Sequence, residues 1–328
     1  MVTMNNKKGR VVVIDALNMY FRAYIVDPSL STNGQPIGGL KGFLKIMQKL
    51  IRETQPDKVV VCWDGKGGST KRKSMSKGYK DGRKPIRLNR TIRNLTEAQE
   101  VENKIWQQTR LFEYLNSLPV IQLVLDGVEA DDIISSVVQH SSLDGWQKVI
   151  VSSDKDFFQL CDEETILLRP IQKEVLNKNS IVEKHGIHPL NFAVARAIAG
   201  DKSDNLPGVQ GVGLPTVAKR LPFLEEEKSY TLDEVYEYCS TVESNVQAYK
   251  KITEQFDKVE LNYKMMQLYL PSISIQGRQT IDYAMNEFEY HFNKTEIRKM
   301  MIQDGFGEGN WNDLFQAMNR ISTDNREV

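Results

Sequence analysis

Val11-Val12-Val13-Ile14-Asp15 is a run of four β-branched residues that ends in a carboxylate. Three further apolar runs lead into acidic residues in the same way: Val59-Val60-Val61-Cys62-Trp63 before Asp64, Leu123-Val124-Leu125 before Glu129, and Val149-Ile150-Val151 before Asp154. Continuous apolar runs of this length, separated by helical stretches, are typical of strands that are covered on both faces in a parallel sheet. The sequence therefore predicts an α/β fold with a mostly parallel central sheet flanked by helices.

Acidic residues cluster in sequence just after these runs and at one later point of the chain. They are Asp15, Asp64, Glu129, Asp131, Asp132, Asp154, Asp156, Asp201 and Asp204. Ligand sites in parallel sheets lie beyond the carboxyl ends of the strands. Two carboxylates about 4 Å apart at an effective dielectric of about 20 repel by roughly 4 kcal/mol, so converging acids take up protons or bind cations. An oxygen-only ligand set favours Mg²⁺ or Mn²⁺ over zinc.

A structural role is the alternative for some of these acids. Glu129 to Asp132 begin a predicted helix that runs from Asp131 to His140, where acids complement the helix dipole and cap the first turn. Three acids in four residues exceed what capping needs, and Glu129 and Asp132, three apart, would share one face. Asp154 and Asp156, two apart, would point the same way if the strand continued. A capping or turn role is the alternative for one of them, and it is less plausible for both.

The composition of the chain is that of a globular protein. Its 328 residues are 40% hydrophobic and 26% charged, with a formal net charge of zero. No apolar stretch reaches the length of a membrane span, and Met1 to Arg10 lacks the apolar centre of a signal peptide. We therefore expect a cytoplasmic protein that does not interact with membranes.

The zero net charge hides a local excess of positive charge. Between Lys66 and Arg93 the basic residues are Lys66, Lys71, Arg72, Lys73, Lys77, Lys80, Arg83, Lys84, Arg87, Arg90 and Arg93, against the single acid Asp81. A solvated surface loop is the usual interpretation of such a run. Because it directly follows Asp64, we expect residues 65–95 to form a mobile, disordered or helical basic arch over the acidic site, outside the core.

Helices dominate the rest of the chain. A long one is predicted from Glu97 to Ser117, with Ile105, Leu111, Phe112 and Leu115 facing inward. Residues 181–222 predict helices around a turn in which Gly208, Gly211 and Gly213 permit positive φ or close backbone approach. This hydrophobic-Gly pattern before Leu214-Pro215 indicates a helix–hairpin–helix unit whose amides suit a DNA phosphate, with Lys219 nearby; an ordinary helix-to-helix turn is the alternative.

Three regions follow from these patterns. Residues 1–180 are expected to form the metal-binding α/β core, residues 181–222 the helix–hairpin–helix region, and residues 223–328 a mainly helical C-terminal region.

Several of these segments, in this order, resemble the flap endonuclease and 5′ nuclease family, which includes the 5′-to-3′ exonuclease domain of bacterial DNA polymerase I and stand-alone phage enzymes. The resemblance covers about residues 10–222. It rests on Val13-Ile14-Asp15, Phe21-Arg22, Cys62-Trp63-Asp64, Arg72, Tyr79-Lys80-Asp81-Gly82-Arg83, Glu129-Ala130-Asp131-Asp132, Ser153-Asp154-Lys155-Asp156, and the stretch from Gly200 to Gly213. One departure is Ala16, where the family usually has glycine.

The resemblance implies a PIN-like 5′ nuclease core and two Mg²⁺ or Mn²⁺ ions. Asp15, Asp64, Glu129, Asp131 and Asp132 would gather around one ion, and Asp154, Asp156, Asp201 and Asp204 around the other. The implied catalytic residues are Lys80, Arg83, Asp15, Asp64 and Asp154. The implied DNA contacts are Phe21, Arg22, Arg72, Tyr79, Lys80, Arg83, Gly208, Gly211, Gly213 and Lys219. A K⁺ ion on the carbonyls of residues 209–213 is also implied.

The implied function is a structure-specific 5′ nuclease, acting as flap endonuclease and 5′-3′ exonuclease in replication or repair. Its partners would be DNA with a 5′ flap or 5′ end, an RNA–DNA primer duplex, and a single-strand-binding protein or sliding clamp. It would be a stand-alone nuclease and a monomer. Its location would be the cytoplasm, which is the host's cytoplasm if a phage encodes the protein. The alternatives are a catalytically inactive DNA-binding protein, a PIN-type ribonuclease and a phosphatase with strand-end acids. A phosphatase predicts neither the basic arch nor the hairpin glycines.

Overall fold

The computed structural model describes residues 8–93, 95–307 and 311–323. Most of the Met1 to Arg10 segment, on which the expected location depends, lies outside these residues. Within the described ranges, no helix has both the length and the apolar character needed to cross a membrane.

One six-stranded sheet forms the centre of the fold. Its strands are β1 (Arg10–Asp15), β2 (Lys58–Trp63), β3 (Ile121–Val124), β4 (Gln147–Val151), β5 (Thr165–Arg169) and β6 (Glu174–Leu176), in the order β3-β2-β1-β4-β5-β6. The pairs among β1 to β5 are parallel, and only β6 is antiparallel. The predicted mostly parallel sheet is confirmed, and β5 and β6 are strands that the sequence patterns did not indicate.

Helices cover both faces of this sheet. In chain order, the helices of the described residues are α1 (Ala16–Val26), α2 (Gly38–Thr54), α3 (Thr70–Met75), α4 (Glu97–Asn116), α5 (Ala130–Val138), α6 (Lys178–His185), α7 (Pro189–Ala199), α8 (Leu214–Arg220), α9 (Leu232–Thr241), α10 (Gln247–Glu254), α11 (Phe256–Met266), α12 (Ile275–Asn286), α13 (Lys294–Gln303) and α14 (Asn312–Thr323). Val11 and Val13 of β1 pack into one apolar cluster with α5, whereas Val12 and Ile14 pack into the other with α2. Burial on both faces explains why β1 is a continuous apolar run.

The long helix α4 has a narrower buried face than its sequence suggests. Leu111 and Leu115 are fully buried, as predicted, but Ile105 is 56% exposed, so its inward orientation was wrong. The buried stripe starts at Gln107, whose side-chain oxygen accepts a 3.0 Å hydrogen bond from the main-chain N–H of Leu40. Because Ile105 precedes Gln107 by two residues, it lies on the opposite side of the helix.

The basic arch is anchored to the body of the protein. Of its described residues, 65–93 and 95, only those of α3 are helical, and the others form turns and irregular backbone. Arg72, Tyr79 and Leu88 are buried, and Leu88 packs into the apolar cluster on the α2 face. The expectation that this segment stays outside the core was therefore wrong for these three side chains, which anchor the arch to the body of the protein.

The hairpin region is helical at both ends. Between α7 and α8, β7 (Gly200–Asp201) and β8 (Leu206–Pro207) form a two-stranded antiparallel sheet. The C-terminal helices divide between the two apolar clusters. Helices α9 to α12 pack with the hairpin region and α5, whereas α13 and α14 pack with α2 and α4. The proposed division into three regions remains a prediction.

Candidate active site

The strand-end acids meet at the carboxyl edge of the sheet. Asp15 is the last residue of β1, and Asp64 directly follows β2. The hydroxyl of Ser152, just beyond β4, donates a 2.9 Å hydrogen bond to Asp15 and accepts a 3.1 Å hydrogen bond from the main-chain N–H of Asp154. Asp64 accepts a 2.9 Å hydrogen bond from the N–H of Ala130 at the start of α5. These contacts connect the ends of β1, β2, β4 and α5.

Arg72 links the arch to two acids at the start of α5. Its guanidinium contacts Glu129 and lies 3.0 Å (Nη1 to Oδ2) and 3.3 Å (Nη2 to Oδ1) from Asp132. Its Nε donates a 2.9 Å hydrogen bond to the carbonyl of Met265 in α11. Glu129 and Asp132 therefore share one face, as their spacing predicted. Glu129 makes no side-chain capping bond although it occupies the N-cap of α5, so capping does not explain it.

Two more arch residues contact Glu129. The ammonium of Lys80 forms an ion pair with Glu129, and the hydroxyl of Tyr79 donates to the same carboxylate over 3.2 Å. Arg83 pairs with Asp204 of the hairpin region, and its Nε donates a 3.2 Å hydrogen bond to the carbonyl of Ser203. Arg72, Lys80 and Arg83 of the arch therefore contact acids that the family resemblance assigns to metal binding.

The second group of acids is organised around an arginine that the sequence reasoning missed. Arg196 of α7 lies 3.0 Å (Nε to Oδ1) from Asp156 and also pairs with Asp201. The main-chain N–H of Asp156 donates a 2.9 Å hydrogen bond to Asp154. The sequence argument for Asp154 and Asp156 assumed that the strand continues to Asp156. It ends at Val151, and a turn brings the two acids together. A buried arginine in the apolar stretch NFAVARAIA was the signal that an acidic partner exists.

Burial and mutual repulsion raise the pKa values of several acids at this site. Burial, followed by the charges of Asp64 and Asp154, raises the pKa of Asp15 to about 7. Burial and then Asp154 raise the pKa of Asp156 to about 7, against the opposing effect of Arg196. Burial and the charges of Asp154 and Asp15 also raise the pKa of Asp131. These acids lie close enough to repel one another, so a cation would stabilise their charged forms.

Glu129 and Asp201, whose partners outweigh burial, behave in the opposite way. Burial alone would raise the pKa of Glu129, but Arg72 and Lys80 outweigh it and lower that pKa. For Asp201, burial is likewise outweighed by Arg196 and by two hydrogen bonds from Ser203, and its pKa is lowered. Unbalanced negative charge is therefore concentrated at Asp15, Asp131, Asp154 and Asp156.

The side chains present fit a divalent oxygen-ligated metal. Among the residues that the structure describes, no three His, Cys, Asp or Glu side chains are oriented as a ready-made ligand group. Glu129, Asp201 and Asp204 instead contact basic side chains. Their oxygen-only chemistry and uncompensated charge match the preferences of Mg²⁺ and Mn²⁺.

The predicted DNA contacts are distributed unevenly. Phe21 and Arg22 are half-buried on α1, and Lys219 is exposed on α8. Arg72 and Tyr79 are buried, with 9% and 3% of their surfaces exposed, so either could reach DNA only after the arch moves.

Two of the three hairpin glycines meet a backbone requirement. Gly211 has a φ of +78°, and a Cβ on Gly208 would come within 2.2 Å of the carbonyl of Ala199. Gly213 has a φ of −92° and is the N-cap of α8, so positive φ is not needed there.

Comparisons with known proteins agree with this architecture. The family described as "5′-3′ exonuclease, N-terminal resolvase-like domain" matches residues 10–186. The chain is 27% identical over 296 residues to a 5′-3′ exonuclease of Aquifex aeolicus, covering 88% of each chain. It is 30% identical over 212 residues to a 5′-3′ exonuclease of Buchnera aphidicola, covering 64% of this chain and 69% of that protein. It is 31% identical to a DNA polymerase I of Thermus aquaticus but spans only 25% of that longer protein.

Solved structures share the fold at low sequence identity. A bacteriophage T5 flap endonuclease in complex with DNA and metal ions matches with a TM-score of 0.63 and 16% identity, covering 94% of this chain and 99% of that one. Human GEN1 in complex with Holliday junction DNA matches with a TM-score of 0.58 and 12% identity, covering 95% and 71%. The nuclease-core fold is thereby confirmed, and the match over residues 10–186 shows that the chain belongs to the 5′-3′ exonuclease family.

Proposed function

We propose that this protein is a divalent-metal-dependent 5′ nuclease that hydrolyses phosphodiester bonds in DNA carrying a 5′ flap or a 5′ end. The observation that carries the proposal is the meeting of strand-end acids beneath a basic arch: Asp15 and Asp154 share the Ser152 hydroxyl, and Lys80 reaches across to Glu129. A phosphate entering this space would meet cations on one side and metal-binding oxygens on the other.

The acids divide into two candidate ligand groups. Asp15, Asp64, Glu129, Asp131 and Asp132 belong to the first, and Asp154, Asp156, Asp201 and Asp204 to the second. A pair of divalent ions supplies an activated water and stabilises the leaving oxygen during in-line displacement. The raised pKa values of Asp15 and Asp156 favour these two carboxylates as ligands, because ion binding would relieve the repulsion that raises them.

The arch residues provide charge at the scissile phosphate. Lys80 and Arg83 are the candidates because both are partly exposed and both now rest on carboxylates, Glu129 and Asp204. If those carboxylates turned towards ions, the two basic side chains would be free to pair with a phosphate. Arg72 is a positioning residue in this proposal, since it holds Glu129 and Asp132 side by side.

Other features extend the DNA-binding surface. Phe21 supplies an aromatic face and Arg22 a cation for the end of the duplex or a frayed strand. The hairpin from Gly208 to Gly213 and Lys219 are proposed to hold the downstream duplex through its backbone, with a K⁺ ion on the hairpin carbonyls. An RNA primer strand as substrate, a single-strand-binding protein or clamp as partner, a monomeric state and a cytoplasmic location complete the proposal.

The competing functions fit less well. A protein that binds DNA without cleaving it would be expected to have lost acids, yet all nine positions are acidic. A PIN-type ribonuclease shares the acidic sheet but lacks a basic arch and a helix–hairpin–helix region as regular features. Both are present between Lys66 and Lys219.

An assay with labelled substrates separates these functions. Full-length protein is incubated with a 5′-flap duplex, a nicked duplex, a blunt duplex and single-stranded RNA, each labelled at one end, in Mg²⁺ or in EDTA. We expect cleavage of the flap in Mg²⁺ and none in EDTA. Binding of an uncleaved flap in Mg²⁺ would support the inactive protein, and preferential cleavage of RNA would support the PIN-type ribonuclease.

A further inference from the structure

A cavity of about 480 Å³ lies beside the acidic site and is lined in part by the arch helix α3. Lys71 and Arg72 of the arch line it on one side, with Asp132, and Tyr263, Lys264, Tyr269 and Leu270 of the C-terminal region line it on the other. Its volume is within the range of about 300–1,000 Å³ that is typical of ligand pockets. The C-terminal region therefore contributes half of a cavity that touches the candidate active site.

The charge of this cavity is positive. Asp132 is the acid in its lining, and Arg72 already pairs with it. Lys71 is held at the rim by a contact with the hydroxyl of Ser272. Lys264 is exposed and, within the described part of the chain, forms no ion pair. Two lysines therefore remain to bind an anion.

The remaining lining offers flat and apolar surfaces. The hydroxyl of Tyr269 donates to the carbonyl of Gln159 and lies 3.2 Å from the carbonyl of Pro189, which fixes the orientation of its ring. Tyr263 is half-buried at the same wall, and Leu270 at the rim has 80% of its surface exposed. Proteins that bind single-stranded nucleic acids combine aromatic rings with basic side chains, because bases stack on the rings while phosphates pair with the cations.

We propose that this cavity binds the unpaired 5′ strand of the substrate, with one base against the tyrosines and Leu270 and its phosphate at Lys71 and Lys264. The reason for choosing a nucleic-acid strand over an acidic protein segment is the shared wall. Arg72 and Asp132 border both the acidic site and this cavity. A strand whose scissile phosphate lies at the acids can therefore continue directly past α3 into the cavity.

The proposal rests on the proposed 5′ nuclease function and is tested by binding, separately from cleavage. The Lys264→Glu, Leu270→Asp double variant places negative charge at two exposed positions. Affinities are measured by fluorescence anisotropy in Ca²⁺, for a duplex with a long oligothymidine 5′ flap and for the same nicked duplex without a flap. We expect the flap's advantage in Kd over the nick to shrink about fivefold or more, the loss of about one base or phosphate contact.

A matched control is Lys250→Glu, an exposed lysine of α10 that does not line the cavity. It should leave the ratio of the two dissociation constants at the wild-type value. The salt dependence of flap binding gives a second measure, since its logarithmic slope should fall by about 0.7 for each single-strand phosphate contact that is lost. An unchanged ratio in the double variant would overturn the proposal, even if the wild-type protein cleaves flaps.

Cross-linking locates the strand without any variant. A flap that carries 5-iodouridine is irradiated on the wild-type protein in Ca²⁺, and the modified peptide is identified by mass spectrometry. We expect modification of Tyr263 or Tyr269. Cross-links found only outside α3, α11 and residues 267–272 would contradict the placement. If the wild type did not cleave flaps in Mg²⁺, in contrast, this result would contradict the proposed nuclease function and not the binding of the strand.

Discussion

The main-chain N–H of Lys80 donates a 2.9 Å hydrogen bond to the main-chain carbonyl of Asp204. A second bond runs in the other direction, from the side-chain amide of Asn205 to the carbonyl of Gly78, over 2.9 Å. Lys80 and Asn205 both have left-handed backbone, with φ of 60° and 56°. Non-glycine residues adopt this conformation at some cost, so the surrounding contacts hold it in place. The arch is therefore joined to the hairpin at the point where Lys80 meets the acids.

Replacing Asn205 should loosen this junction. Asn205→Gly removes the amide that contacts Gly78, while glycine still accepts the left-handed backbone. One hydrogen bond contributes about 0.5–1.5 kcal/mol net, so trypsin should cut the arch about 2- to 10-fold faster. Limited proteolysis followed by mass spectrometry measures the rate at each site. Gln210→Gly, an exposed hairpin position, is the control, and equal arch cleavage in both variants would argue against the junction.

The paired substitution Asp154→Asn and Asp156→Asn tests whether these acids serve catalysis. Removing both charges should lower the rate of flap cleavage by at least about 100-fold, because metal-based stabilisation of the transition state amounts to several kcal/mol. Flap binding in Ca²⁺ should persist. The control is Asp126→Asn, an exposed acid that follows β3. Cleavage at a near-normal rate in the double variant would show that the two acids are structural.

Lys80→Ala should separate turnover from binding. A side chain that neutralises the scissile phosphate in the transition state affects kcat more than affinity, whereas an ordinary phosphate contact affects both equally. We expect single-turnover cleavage to slow far more than flap affinity falls. Lys77→Ala, an exposed arch lysine, provides the comparison. Parallel losses of rate and affinity in Lys80→Ala would reduce it to a binding contact.

The pH dependence of stability should reveal the charge imbalance at Asp156. Its pKa is raised from 3.8 to about 7 by burial and then by Asp154, so the folded state holds its proton more tightly than the unfolded chain. In EDTA this contribution to the free energy of unfolding therefore falls as pH rises from about 4 to beyond 7. The charges of Asp154 and Asp201 raise the pKa of Asp156, and the charge of Arg196 lowers it.

A comparison with Asp156→Asn isolates that contribution. The amide does not titrate, so the melting temperature of the variant minus that of the wild type should increase between pH 5 and pH 8. Each kcal/mol corresponds to about 2–4 °C. His185, whose pKa is lowered by burial, gives the opposite slope but is present in both proteins. A difference that stays constant with pH would contradict the assignment.

The sequence revealed the sheet and its acids because both follow from local patterns. Val11 to Asp15 and Val59 to Asp64 each show a buried strand and its functional end in one short stretch. The short edge strand β6 carries no such signal, since only one of its three residues, Leu176, is buried. Strands covered on one face or at an edge are weaker patterns than those at the centre.

The partners of the acids could not be predicted in the same way. Arg72 lies 57 residues from Glu129 in sequence, so its selection from the basic arch depends on tertiary packing against Met265. The sequence indicated that the arch would face the site but not which cations would be buried. The contribution of Tyr263 and Lys264 to a cavity beside Asp132 has no local signal either, because α11 packs there only in the complete fold.

Arg196 provides a last test, because it pairs with two acids from within a buried helix. Arg196→Gln would leave Asp156 and Asp201 without their shared cation, and breaking a buried ion pair costs about 3–5 kcal/mol. We expect the melting temperature in EDTA to fall by several degrees and added Mg²⁺ to restore part of that loss, since an ion can replace the missing charge. Arg278→Gln, an exposed arginine of α12, should have little effect in either condition. If Mg²⁺ raised the melting temperature of the Arg196 variant no more than that of the wild type, the acids beside Arg196 would not be metal ligands, whatever the variant's stability in EDTA.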